Sequence, residues 1–181
     1  MTLLPDEAKL FFKLMLALQF FANQKLKVLP EFPLAAKFKK ISINERYEVH
    51  AALFKNIRLI DDFIDENPED FSMKNLAVIS KWKNFVAGEF FIERYLKNHA
   101  IFVSDENQVY EVLSLTDALD ENFPKFALPI RVKTILLPFQ AKIVYDGFLL
   151  PYRIVFGGGI KSELKEIYMK AKRTGKIISS L

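Results

Sequence analysis

The sequence predicts an α+β fold in which about three N-terminal helices pack on a mainly antiparallel sheet of five to six strands, closed by a C-terminal helix. Three observations carry this. Apolar residues recur at helical spacing up to Gly88, they alternate with polar residues from Phe90 onward, and helical spacing returns after Gly157-Gly158-Gly159. The chain has 181 residues, long enough for one domain with a real core and too short for two large ones, so residues 1–181 are read as a single domain. Residues 1–88 form its helical part, 89–160 its antiparallel sheet and 161–175 its last helix.

Pro5-Asp6-Glu7 opens the first helix, with Pro in the first turn and carboxylates near the positive end of the dipole. Leu10, Phe11, Leu14, Met15, Leu18, Phe21 and Ala22 make its apolar stripe, and Phe12, Leu16 and Phe20 widen that stripe around most of the circumference. A helix this apolar needs cover on more than one side, which brings a homodimer into view. Val28 to Lys40, with Pro30 and Pro33, reads as an extended connection. Ser42-Ile43-Asn44-Glu45 spells a capping box for a second helix. Val49, Leu53, Ile57, Ile60 and Ile64 form one continuous stripe along it, and Asn67-Pro68 ends it. Ser72 caps a third, which turns Leu76, Ile79, Trp82, Phe85 and Val86 inward and stops at Gly88.

Phe90 to Leu96, Ala100 to Ser104 and Gln108 to Leu115 then read as a strand meander. Thr116 to Pro129 reads as a loop with a helical turn in Asp117 to Glu121. Arg131 to Leu137, Lys142 to Tyr145 and Phe148 to Phe156 complete the sheet, the last demoted to an edge by Pro151. Asp146-Gly147 between the last two has the composition of a two-residue hairpin turn. Lys161 to Thr174 is the closing helix, burying Leu164, Ile167, Tyr168 and Ala171 and ending at Gly175.

Composition narrows the function classes. With 51% hydrophobic residues, 18 Phe and no Cys, the core needs no disulfide, and a reducing, cytoplasmic setting fits. The N-terminus lacks the basic start of an export signal. The apolar run Leu10 to Phe21 carries Lys13 and is shorter than the roughly 20 residues of a membrane span, so no membrane partner is expected. Net charge is +4, with 22 acidic against 26 basic residues, too balanced to define a nucleic-acid binder by its overall field.

Asp61-Asp62-Phe63-Ile64-Asp65 has the spelling of the aspartate-rich motif with which isoprenoid synthases hold magnesium and diphosphate, because carboxylates four apart meet on one helix face. Those enzymes are all-helical bundles with a second acidic cluster, and the rest of this chain does not resemble them. Asp61, Asp62 and Asp65 are therefore weak metal candidates, and a solvated helix face is the preferred reading. His50 and His99 are the only histidines and have no paired metal-ligand spacing. There is no Gly-x-Ser-x-Gly elbow.

The sharper candidate is Gly157-Gly158-Gly159-Ile160-Lys161-Ser162, where a strand-to-helix turn presents unpaired N–H groups beside a Lys and a Ser. The Walker spacing is not met. A small-anion site there would draw on Gly157, Gly158, Gly159, Lys161, Ser162 and Arg153, with Tyr145 or Tyr152 lining it, and the plain alternative is that the glycines only permit an abrupt turn. Lys161, Lys165, Lys170, Lys172, Arg173 and Lys176 give the last helix a basic side near Tyr145, Tyr152 and Tyr168, a pattern able to hold single-stranded nucleic acid; Glu163 and Glu166 interleave as on an ordinary solvated face.

Val132 to Phe139, Lys142 to Phe148 and Phe156 to Lys161, together with Phe54 to Phe63, resemble a group of uncharacterised bacterial proteins of similar length. The resemblance covers most of the chain, implies a single-domain bacterial protein, and carries no catalytic residue. From the surplus apolar surface of the first helix and the lack of a recognised catalytic constellation, the expectation is a non-catalytic binding or interaction domain without a cofactor, engaging a protein partner or itself. An enzyme or anion-binding protein using the glycine turn is the first alternative, and a nucleic-acid binder using the basic helix the second.

Overall fold

The computed structural model describes residues 2–30 and 35–181, an α+β chain that divides into two compact units. One is Lys9–Lys83; the other joins the N-terminal residues through Ala8 to Asn84–Leu181.

The first unit is helical: α1 (Pro5–Leu26, its first turn in the second unit), α2 (Ala35–Phe38), α3 (Ile43–Lys55), α4 (Leu59–Glu66) and α5 (Met73–Lys81). Phe11, Leu14, Met15, Leu18, Phe21 and Ala22 of α1 are buried, as their spacing predicts. Within the unit Phe11 meets Trp82 edge-on at 5.5 Å, and Phe21 meets Phe63 at 5.3 Å. Gln19 and His50 satisfy each other at 3.0 Å between Nε2 and Nδ1. The Ser42–Glu45 capping box is present in full.

Three expectations need correction here. The stripe from Val49 to Ile64 spans two helices, because Asn56 leaves helical geometry (φ −120°, ψ 58°) and its side-chain amide donates back to Ala52 O at 2.8 Å, ending α3. The connection from Val28 contains the short helix α2 instead of running extended throughout, and Pro33 lies outside the described residues. Gly88 does not stop the third helix. A 3₁₀ turn at Trp82–Asn84 does, and Gly88 lies inside a strand, paired with Thr134.

The second unit contains β1 (Val86–Tyr95), β2 (Ala100–Ser104), β3 (Val109–Leu113), α6 (Leu119–Asn122), β4 (Ile130–Phe139), β5 (Lys142–Tyr145), β6 (Leu150–Pro151), α7 (Gly158–Arg173) and β7 (Ile177–Ile178). The sheet is mixed instead of purely antiparallel: β3 pairs in parallel with both β5 and β7. β1 serves two partners, pairing through Val86–Ile92 with β4 and through Phe90–Tyr95 with β2, with an irregularity between Ile92 and Arg94 where the strand bends. The pairings therefore close in the order β1-β2-β3-β5-β4-β1, a five-stranded barrel.

Alternation sorts its side chains. Phe90, Ile92, Ala100, Phe102, Tyr110, Val112, Val132, Leu136 and Ile143 fill the interior, and Leu119 of α6 joins them with Phe123 and Leu128 packed alongside. Ile101, Val103 and Val109 point outward and meet α7. Lys142 Nζ reaches Glu7 at 2.6 Å, fixing the first turn of α1 to β5.

Asp146-Gly147 does not reverse the chain. The reversal is at Gln140-Ala141, both at positive φ (49° and 59°) between the paired Phe139 and Lys142, the geometry of a type I′ turn. After β5 the chain runs on in the same direction along β4, bulging at Asp146–Leu149 and rejoining at Leu150↔Lys133 and Pro151↔Val132. The buried Asp146 carboxylate holds the bulge by accepting from Phe148 N at 2.9 Å and from Thr134 Oγ1 at 3.2 Å. Only two residues of the expected strand Phe148 to Phe156 are in the ladder.

Candidate functional site

α7 lies across the outer face of β1, β2 and β3. Leu164 and Tyr168 are buried against Ile101, Val103 and Val109, with Phe91, Leu96, Ile167, Ala171 and Ile177 packed around them. The Arg94 guanidinium sits 4.1 Å from the Tyr168 ring centroid while holding Glu93 through two hydrogen bonds, so a cation–π contact adds to the apolar one. The helix ends at Gly175 (φ 64°), where Lys176 N donates to Ala171 O at 2.9 Å, and the chain then enters β7 beside β3.

This arrangement leaves an open cleft of about 460 Å³ between the C-terminal half of α7 and the start of β3. Val109, Ile167, Ala171 and Ile178 supply apolar walls; Asn107, Gln108, Thr174, Lys170 and Lys176 supply the polar ones. No carboxylate is among the lining residues. The volume falls in the range of small-molecule sites, and two lysines over an apolar floor suit an anion with an apolar body. Gln108 is fixed by its turn: Tyr110 OH donates to Oε1 at 2.5 Å, and its backbone N–H reaches Ser104 Oγ at 3.1 Å. Lys170, Lys172 and Arg173 occupy the last turn of α7, where cations offset the negative end of the dipole.

A second polar cluster lies on the outer side of β1 and β4. Arg131 Nη2 is 2.8 Å from both Glu89 and Asp105, its guanidinium faces Phe91 and Tyr152, and Tyr152 OH donates to Glu89 at 2.6 Å. That bond raises the Tyr152 pKa. Two carboxylates already neutralise Arg131, so this cluster ties strands together and is no anion receptor.

The residues proposed from sequence are dispersed. Gly157 is the N-cap of α7 in extended conformation, no side chain caps the helix, and Gly157, Gly158, Gly159, Lys161, Ser162 and Arg153 are all exposed. Tyr145 lines the barrel interior with its hydroxyl 3.5 Å from Ser114 Oγ, and burial raises its pKa. Tyr152 is engaged with Glu89. Of the aspartates, Asp61 forms an ion pair with Lys83 at 2.5 Å, Asp62 and Asp65 are exposed, and no group of three metal-ligating side chains occurs among the described residues. No local pattern marks the cleft residues Asn107, Gln108 and Ile178 as a group, because β7 meets β3 through the long-range register Val109↔Ile177 and Tyr110↔Ile178. Their sole local sign was a turn-like Asn107.

The barrel closes in this order with a short helix between β3 and β4, leaving one side of β2 and β3 facing outward. Here α7 occupies that face, and fold by itself assigns no function. No protein-family model, curated protein or solved structure matches the chain. Among the described residues no helix is long and apolar enough to cross a membrane.

Proposed function

We propose that the protein is a non-catalytic binding domain whose ligand is a small anion with an apolar portion, seated between α7 and the start of β3. The observation that carries this is the pairing of Lys170 and Lys176 with an apolar floor in a cleft that no carboxylate lines. The ligand's charge would meet the two ammonium groups, its apolar body would cover Val109, Ile167 and Ile178, and Asn107 and Gln108 would orient it. The glycine turn supports an anion site less well, because its Lys161 and Ser162 stand exposed with no enclosing wall of side chains. Nucleic-acid binding along the cations of α7 would rest on phosphate contacts without stacking by Tyr145 or Tyr168, which face inward.

The test is a melting-shift and calorimetry series with nucleotides, phosphosugars and aromatic or aliphatic carboxylates. A ligand at about 100 times its Kd stabilises the fold by about 2.7 kcal/mol. Lys170→Glu with Lys176→Glu is expected to abolish the shift. A full series without a response, or an undiminished response in the double variant, defeats the proposal.

A protein partner is a second reading with its own support. Val155 is 98% exposed, and Leu150, Ile154 and Ile160 add apolar surface along the segment from β6 to α7. Light scattering of the parent and of Ile154→Asp/Val155→Asp tests it: a complex that the variant loses supports the reading, and a monomer in both, binding no added partner, counts against it.

A further inference from the structure

We infer that Gly157-Gly158-Gly159 is a hinge and that the arm beyond it, α7 with β7, is a strap that lifts from the β1-β2-β3 face of the barrel. None of the three glycines has a positive φ; among the glycines that geometry belongs to Gly147 and Gly175. A Cβ placed on any of the three meets nothing within 4 Å. Neither backbone conformation nor close approach therefore demands glycine. Alanine at Gly158 and Gly159, in the first turn of α7, is favoured by about 1 kcal/mol per residue through helix propensity alone. What three glycines add is backbone freedom at the entry to the helix, and their helix is weaker for it.

The flanking contacts place the hinge. The last backbone hydrogen bond tying this stretch to a barrel strand is Tyr152 N to Arg131 O, and Ile154 N bonds only locally to Tyr152 O. Phe156 is anchored edge-on to Phe91 at 5.2 Å. The glycines follow that anchor directly, so the fixed point and the free joint are adjacent. Beyond them, α7 has sixteen residues of which Leu164 and Tyr168 are buried. At the far end the arm is held by a ladder of two residues, Val109↔Ile177 and Tyr110↔Ile178, and by Ile178 and Leu181 packed against the barrel core. With twelve of the sixteen α7 residues exposed, the arm opens at lower free energy than the closed barrel beneath it. Because α7 carries Ile167, Lys170, Ala171 and Thr174, the same motion sets the width of the cleft described above.

Native-state hydrogen exchange on the full chain, without any ligand, tests this independently of the proposed binding function. Amides of α7 and β7 are expected to exchange by a common opening at least about tenfold faster than those of β1 and β4, with weak dependence on denaturant. In the variant Gly157→Ala/Gly158→Ala/Gly159→Ala the whole arm, including Ile177 and Ile178, should slow together while the barrel is unchanged. A mere improvement of the helix start would slow only the first-turn amides, and that outcome overturns the hinge. Tyr168→Ala should speed the arm alone. Arm amides that open only with the barrel, in parent and in Tyr168→Ala, also overturn it.

Discussion

Gln140 and Ala141 hold positive φ in the β4–β5 turn with ordinary side chains in place, a conformation costing about 1–2 kcal/mol per residue. Replacing the pair by Asn-Gly is expected to raise the urea midpoint by a stability gain of about 1–2 kcal/mol. At the bulge the opposite holds. Gly147 sits at φ 100°, and an added Cβ would also touch Leu115, so Gly147→Ala should destabilise the fold by about 1–3 kcal/mol. Asp-Gly carries the composition of a hairpin turn, yet here it serves the bulge while the turn uses residues without that composition. Local propensity reported the need for a left-handed residue and could not report what the chain does there. Glu7 belongs to the same scale. Its hydrogen bond to Lys142 lowers its pKa from 4.5, so the stabilisation is present above that value and lost as pH falls through the lowered one. Glu7→Gln should flatten the acid limb of stability measured by denaturant titration.

Among the elements, strands were the more legible. The bounds Ala100 to Ser104 and Lys142 to Tyr145 match β2 and β5 residue for residue, because a strand covered on both sides of the barrel wall reads as a short apolar run closed off by turn residues. Helix ends were less so: one apolar stripe continues through α3 and α4 while Asn56 breaks the backbone between them. α7 begins three residues before Lys161 because its first turn is made of glycines. The barrel strands also carry a pH signature. Burial raises the pKa of Tyr95, Tyr110 and Tyr145 above the ordinary value of 10, so their contribution is fully present below pH 10 and is lost as pH rises from there toward the raised values. The tyrosine contribution to stability should stay level up to about pH 10 and fall above it, and Tyr145→Phe should reduce that slope.

For the chain as a whole, composition and period were enough to give the α+β class, and the switch from helical to alternating spacing near Gly88 was read within a few residues. Closure was not legible. It depends on β1 turning from β2 to β4 and on β3 running parallel to β5, pairings between residues far apart in sequence that no local pattern encodes. The cleft was hidden for the same reason, since Lys170 and Lys176 were visible as a basic helix while the face they meet was not. The most direct test of the closed barrel is a set of inter-strand backbone NOEs on labelled protein. Contacts for Phe90↔Val132 and Val112↔Ile143 in the same molecule as those for Phe102↔Tyr110 are predicted. The β1–β2–β3 contacts without any between β1 and β4 would mean an open sheet and contradict it.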